Sequence, residues 1–200
     1  MKTIHCPNCS TKTRELFACE SCGCVLPINP LLNFFQILQI EQRFDLDLED
    51  LKSKTMTMLS LYHPDKFSNT QDMSVEVATS NTAMINNAFQ TLQNTSDRAQ
   101  YLLLLKKIDL NNYTASLLPQ NLLLFFLELQ EESDLIQDVE ELELLKNRCN
   151  LQLEINYQDL AKAFKKNHKD SMTFLSIKRK FLDRLISNID RKIEYIYDNA

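Results

Sequence analysis

Apolar residues recur at helical spacing along most of the chain, with polar and turn-forming residues between the segments. After an N-cap at Asp47, for example, six residues fall on one face and predict a helix that ends at Tyr62: Leu48, Leu51, Thr55, Met58, Leu59 and Tyr62. The same spacing predicts further helices over 31–40, 77–92 and 98–105, one after Pro119, one after Asp138, and a last one over 171–197.

One of these segments, 122–127, does not fit a single buried face. It reads Leu-Leu-Leu-Phe-Phe-Leu and is apolar around its whole circumference. Such a helix either packs on both sides or exposes an apolar patch to another protein. Within it and just beyond, one face has members at positions i, i+3, i+4 and i+7, with a further leucine beside them. We name this set the docking strip: Leu123, Leu124, Leu127, Glu128 and Glu131.

The composition favours an all-α protein and excludes several functions. The chain has 200 residues, 44% of them apolar, one glycine and a net charge of -5. A single glycine cannot build a phosphate-binding loop, so we expect no nucleotide site, and the acidic balance argues against nucleic acid. No apolar run approaches the roughly 20 residues of a membrane helix, and the N-terminus lacks a secretion or import signal. We therefore expect a cytoplasmic protein that does not bind membranes.

Four cysteines near the N-terminus have the spacing of a metal site. Cys6 and Cys9 form one C-x-x-C pair, and Cys19 and Cys22 form another. In a reducing compartment two such pairs predict a tetrahedral thiolate site, most simply a structural zinc ion, in a module over 1–30. Bound iron or an empty site, a disulfide framework and a redox dithiol are the alternatives. His5 or Cys24 could replace one of the four ligands. Cys149, in contrast, falls on the apolar face of a predicted helix and is predicted to be a core residue.

The tripeptide His63-Pro64-Asp65 follows the helix that ends at Tyr62. Pro64 fixes its own φ and pushes His63 out of the helical region, which predicts a rigid corner in a helical hairpin. Asp65 can accept two parallel hydrogen bonds from an arginine. We therefore expect a contact point for another protein at this corner.

These features together resemble the J-domain of the HscB family of iron-sulfur co-chaperones. The resemblance rests on the segments 62–67, 85–92, 98–103, 127–132 and 180–185 and covers about residues 31–197. It implies a J-domain over 31–112 and a C-terminal three-helix bundle over 119–200 that binds a scaffold protein. It also implies chaperone contacts at His63, Pro64, Asp65 and Lys66. Scaffold contacts would be made by the docking strip and Phe181. Ser60 and Leu61 depart from the family because cationic residues are common at those positions.

The resemblance implies an adaptor without a catalytic site, whose partners are a DnaK-type chaperone and an iron-sulfur cluster scaffold protein. It would stimulate the ATPase of the chaperone. A J-domain co-chaperone for another client is the main alternative, and a zinc module that binds nucleic acid or a thiol redox enzyme is a weaker one. Formation of a homodimer is left open. The cysteine module is similar to that of many eukaryotic members, which makes the mitochondrial matrix the alternative location.

Overall fold

The computed structural model describes residues 3–6, 8–14, 18–62 and 72–199. Within these residues it contains seven α-helices and one two-stranded sheet, so the prediction of an all-α protein with a small N-terminal module is confirmed. The chain forms two compact units. The first comprises Met1–Gln42 and Leu46–Asn94, and the second comprises Arg43–Asp45 and Thr95–Ala200.

The N-terminal module begins with an antiparallel hairpin of β1 (Thr3–His5) and β2 (Lys12–Arg14). Ile4 pairs with Thr13 at the middle of the ladder. The apolar core of the module is small, with Cys6, Cys19 and Leu26 buried and Ile4 and Cys24 packed against them. So few apolar side chains cannot stabilise a fold of this size without help.

Helix α1 (Phe34–Ile37) is shorter than the predicted helix over 31–40, and that prediction is wrong in its length. Asn33 caps the helix because its side chain accepts from the Gln36 backbone N–H while the Gln36 side chain accepts from the Asn33 N–H. The helix cannot continue beyond Leu38, since Gln39 has the left-handed φ of 54°. The apolar residues alone therefore predicted too long a helix. The cap at Asn33 and the left-handed backbone of Gln39 set its observed ends.

Helices α2 (Leu48–Tyr62) and α3 (Asp72–Gln93) pack against each other in the first unit. The predicted N-cap of α2 is confirmed, because the carboxylate of Asp47 accepts from the N–H groups of Glu49 and Asp50 at 2.9 and 3.2 Å. The helices run in opposite directions, since Leu48 at the start of α2 lies beside Gln93 at the end of α3, whereas Tyr62 at the end of α2 accepts from Thr82 in the middle of α3. The buried faces are at helical spacing: Leu51, Thr55, Met58 and Tyr62 on α2, and Ala78, Asn81, Ile85, Ala88 and Leu92 on α3. Of the other two residues predicted for the α2 face, Leu48 is exposed and Leu59 is half-buried.

The second unit contains α4 (Thr95–Leu105), α5 (Gln120–Leu135), α6 (Val139–Lys166) and α7 (Lys169–Asp198). Helix α7 packs against each of the other three. The predicted starts of α5 and α6 are confirmed, since Pro119 directly precedes α5 and Asp138 accepts from the Glu141 N–H at 3.0 Å. The main core contains Cys149 as predicted, and its buried members are Leu129, Leu142, Leu145, Cys149, Leu182, Leu185, Ile189 and Ile193.

The segment Arg43–Asp45 belongs to the second unit although it precedes α2 in sequence. The ring of Phe44 stacks on Phe164 at 5.0 Å and lies 5.4 Å from Tyr157, whose hydroxyl donates to Asp45 at 2.7 Å. Buried Arg98 lies 5.2 Å above the Phe44 ring. By contacts, therefore, the chain divides after Asn94, and the sequence-based domain ranges stay a prediction.

None of the helices among the described residues is both long and apolar enough to cross a membrane.

Candidate metal centre and docking surface

The two cysteine pairs lie in turns with the same backbone pattern. In the first, the Ser10 N–H donates to the Cys6 carbonyl, and the Cys6 N–H donates to Thr11. In the second, the Gly23 N–H donates to the Cys19 carbonyl, and the Cys19 N–H donates to the Cys24 carbonyl. All four N···O distances are 2.9 Å. In each turn, therefore, the N–H of the residue after the second cysteine bonds to the carbonyl of the first cysteine and closes the turn.

That closing residue has a left-handed backbone in both turns, with φ of 58° at Ser10 and 70° at Gly23. Glycine adopts this conformation at the lowest cost, which explains why the only glycine of the chain lies here. A glycine directly after a C-x-x-C pair is a sequence signal for this backbone conformation. The equivalent role of Ser10 was missed, because serine is a weak signal for a positive φ.

The turns bring four sulfurs together. The Sγ atoms of Cys6, Cys9, Cys19 and Cys22 all lie within 4.8 Å of one another. The Cys6–Cys22 and Cys9–Cys19 separations are 3.6 and 3.7 Å, far longer than the about 2.05 Å of a disulfide bond. A tetrahedral metal with bonds of about 2.3 Å to sulfur places its ligands about 3.8 Å apart. The cluster therefore fits a metal ion, and the predicted convergence of the four cysteines is confirmed.

Hydrogen bonds stabilise negative charge on part of the cluster. The pKa of Cys9 is lowered to about 6, first by a hydrogen bond with the Thr11 hydroxyl and then by the Thr11 backbone. The backbone N–H groups of Ser21 and Cys22 lower the pKa of Cys19. At Cys22 the Cys24 backbone acts in the same direction, but burial and the neighbouring sulfurs outweigh it and raise the pKa to about 11. Since metal ligation requires thiolates, binding would release protons here.

The two spare ligand candidates are not part of this group. Among the described residues, the side chains whose ligand atoms are close enough to share one ion include neither Cys24 nor His5. Cys24 corresponds to Thr11 of the first turn: the backbone carbonyl of each residue accepts from the N–H of the first cysteine in its pair. Its thiol donates to the Val25 carbonyl at 3.4 Å. Cys24 therefore has a structural position beside the cluster.

Most of the docking strip lies on an exposed face of α5. Leu124 and Leu127 are 49% and 64% exposed, and Glu128 and Glu131 are exposed beside them. Neither carboxylate forms an ion pair with a cationic side chain in the described part of the chain. Leu123 is half-buried. The face thus combines an apolar centre with an acidic edge, whereas the opposite side of α5 buries Leu129 and Ser133.

Phe181 reaches α5 from α7 through an aromatic contact. Its ring stacks on Phe126 at 4.2 Å, and Phe126 lies 6.0 Å from Phe125. Lys178 Nζ lies 4.4 Å above the Phe125 ring and donates to Gln152 Oε1 at 2.9 Å. Burial lowers the pKa of Lys178. The sequence did not single out Phe125, Phe126 and Lys178, although an aromatic pair in an apolar helix was the available signal.

The chaperone-contact residues predicted at His63, Pro64, Asp65 and Lys66 lie outside the described residues.

Asn81 is a further residue that sequence periodicity missed. It is buried in α3, where its amide donates to the Leu26 carbonyl and its side-chain oxygen accepts from the Ile28 N–H, both at 2.9 Å. These two bonds fix the chain where it leaves the cysteine module. An asparagine on a helix gives no periodic signal, so only the structure identifies this role.

Comparison with known proteins agrees with this architecture. A scan of protein-family models finds no match to the chain. The co-chaperone protein HscB of Proteus mirabilis is 30% identical over 171 residues, which cover 84% of this chain and 99% of that protein. The chain belongs to the HscB co-chaperone family. The HscB homologue of Colwellia psychrerythraea is 35% identical over 108 residues, but there the chain spans only 60% of the relative.

Solved HscB structures share the fold. Human HscB superposes with a TM-score of 0.81 at 21% identity, covering 96% of this chain and 98% of that one. HscB from Vibrio cholerae gives 0.70 at 22% identity and covers 82% of this chain. The human match necessarily includes most of the cysteine module because it leaves so little of the chain out. Membership of the HscB family supports the role of a J-domain co-chaperone and a non-enzymatic function.

Proposed function

We propose that the chain binds an iron-sulfur cluster scaffold protein and delivers it to a DnaK-type chaperone, whose ATPase it stimulates. The iron-sulfur cluster is cargo on the scaffold, and the catalytic step belongs to the chaperone. Family membership supports the co-chaperone part of this proposal. The observation that carries the scaffold part is the exposed face of α5.

The scaffold contacts are assigned to Leu123, Leu124, Leu127, Glu128, Glu131 and Phe181. A monomer gains nothing by exposing Leu124 and Leu127 so fully on a helix whose other side is already packed. Burial of these leucines against an apolar patch would supply the affinity, while the two glutamates would select a partner with lysine or arginine at its rim. The ring of Phe181 on α7 stacks on Phe126 of α5 and so packs against that helix.

The double variant Leu124→Ala with Leu127→Ala tests the scaffold assignment. Both side chains are exposed, so the helix should fold normally while binding of the scaffold weakens at least about tenfold, as expected for two central contacts. Isothermal titration calorimetry measures the affinity. Leu104→Ala is the matched control, because Leu104 is an exposed leucine on α4. Unchanged scaffold binding would overturn the client assignment and favour a J-domain co-chaperone for another client.

The chaperone contacts are assigned to His63, Pro64, Asp65 and Lys66 on the sequence argument alone. Removing the carboxylate in Asp65→Ala should abolish stimulation of the chaperone ATPase, because an arginine of the partner would lose both hydrogen bonds. The α5 double variant should keep the stimulation measured without scaffold. If Asp65→Ala stimulates as well as the unmodified chain, the chaperone assignment is wrong.

The four cysteines are proposed to hold a structural zinc ion. Four thiolates in a closed tetrahedral set are the usual ligands of structural zinc, and the sulfur separations suit it. Iron is the alternative metal for the same ligands. Elemental analysis of the purified chain distinguishes the two ions. We place the protein in the cytoplasm, with the mitochondrial matrix as the alternative.

A further inference from the structure

A second apolar surface lies on the outer face of α6, apart from the docking strip. Leu144, Leu151 and Ile155 are 65%, 66% and 54% exposed. They are separated by seven and four residues, so they lie on one face of a helix with 3.6 residues per turn. We call these three residues the α6 stripe. The opposite face of α6 is already buried in the core through residues such as Leu145 and Cys149.

The two ends of this face carry opposite charges. Glu140 precedes the α6 stripe by four residues, and Lys162 follows it by seven, and both are exposed. Glu141 also lies in the first turn, and Lys165 and Lys166 lie in the last. The face is therefore acidic at its N-terminal end and basic at its C-terminal end, and between them lie the three apolar side chains and exposed Arg148, which pairs with Glu132 of α5.

We propose that the α6 stripe binds the α6 stripe of a second copy of this chain, with the two helices antiparallel. Glu140 and Lys162 both lie eleven residues from Leu151. A two-fold axis at Leu151 therefore places Glu140 of each copy opposite Lys162 of the other, and the Leu151 side chains meet at the axis. A parallel pair would instead bring acid against acid and base against base.

This self-complementarity is what a two-fold interface requires, because the same surface serves as both halves. In the same arrangement Leu144 of one copy lies within one helical turn of Ile155 of the other. A shallow hollow of about 580 Å³ lies beside Leu151, between α6 and Arg179 of α7, and gives space for side chains of the second helix. Antiparallel alignment also sets the helix dipoles in their favourable orientation.

Three apolar side chains per copy form a small interface, at the low end of the size range for specific association. We therefore expect a weak, reversible dimer that forms between micromolar and submillimolar concentration. Its exposed charge pairs should make it weaken as salt is added. The proposal does not depend on the scaffold assignment, since that surface lies on α5.

Sedimentation equilibrium of the full chain over this concentration range tests the proposal. Leu151→Asp places two carboxylates at the axis and should weaken the dimer at least about tenfold. Tyr195→Asp, at an equally exposed apolar position on α7, is the control and should leave the dimer intact. A chain that stays monomeric throughout, or a dimer that survives Leu151→Asp, overturns the proposal.

Charge exchange tests the antiparallel arrangement independently. Glu140→Lys and Lys162→Glu each turn two attractive pairs into repulsive ones and should each weaken association about fivefold, since exposed pairs contribute little. The double variant restores opposite charges and should associate like the unmodified chain. If the double variant is no tighter than the single ones, the antiparallel pairing is wrong. Circular dichroism verifies that each variant keeps its helices.

Discussion

The cysteine module and the α5–α7 bundle are stabilised in different ways. The module buries a few apolar residues, among them Leu26, and brings four sulfurs within 4.8 Å of one another. The bundle buries a continuous set of leucines and isoleucines along α6 and α7. This difference predicts that the module depends on a bound metal ion for its stability, whereas the core of the bundle is large enough to stabilise it without one. The following changes should break one region and spare the other.

Removing the metal should have the largest effect. Chelation, or Cys19→Ser, should unfold the module and leave the bundle folded, since the binding energy of a structural zinc site, about 10 kcal/mol or more, is lost. Protease sensitivity within 1–30, followed by mass spectrometry, measures the loss while circular dichroism reports the bundle. Cys24→Ser is the matched control and should retain metal. Loss of one equivalent of metal in Cys24→Ser would contradict the ligand set drawn from the sulfur positions.

Leu182→Ala should have the next largest effect and act on the bundle. Leu182 is fully buried in the core, so the free energy of unfolding should fall by about 2–5 kcal/mol through lost burial and the cavity left behind. Urea denaturation measures this change. Leu135→Ala, at a highly exposed position at the end of α5, should cost less than about 0.5 kcal/mol. The metal content should be unchanged in both variants, and a loss of metal in Leu182→Ala would contradict the independence of the two regions.

Gly23→Ala should have the smallest effect and act on the module. No atom lies within 4 Å of an added Cβ, so the cost comes from the φ of 70° alone, about 1–2 kcal/mol. A competition titration should show metal affinity reduced by a comparable free energy. Gly23→Asn should cost less, because asparagine tolerates this backbone region. Equal affinity of Gly23→Ala and the unmodified chain would show that the turn relaxes without strain.

Helix existence was largely predictable, and the boundaries and buried polar positions were not. The inward face of α6 was predicted to consist of Leu142, Leu145, Cys149, Leu153, Tyr157, Leu160 and Phe164. Leu142, Leu145, Cys149 and Leu160 are buried, and the other three are half-buried. Asn156 is equally buried on that helix but was missed, because its side-chain N–H donates to the Leu175 carbonyl, which comes from α7. Asn81 was missed for the same reason. Hydropathy records what a residue prefers in water and contains no information about a distant partner.

Some residues of the candidate sites could likewise be predicted from the sequence, and others could not. Spacing alone identified Cys6, Cys9, Cys19 and Cys22, because a C-x-x-C turn is local and positions two sulfurs without help from the rest of the chain. The docking strip was predicted from helix geometry, which is also local. The stacking of Phe181 on Phe126 joins residues 55 positions apart, so no periodic pattern could assign that contact. The resemblance implied a role for Phe181 without giving its neighbour.

The sequence by itself determined the helical class, the cysteine pairs and the apolar excess of α5, because each depends on residues within a few turns of one another. Only the tertiary structure decided that Cys24 lies outside the sulfur group and that Phe44 packs on α6. It alone also decided which leucines of α5 and α6 stay exposed. The physical reason is that burial and ligation depend on which distant segments meet, and their contacts compete for the same residues.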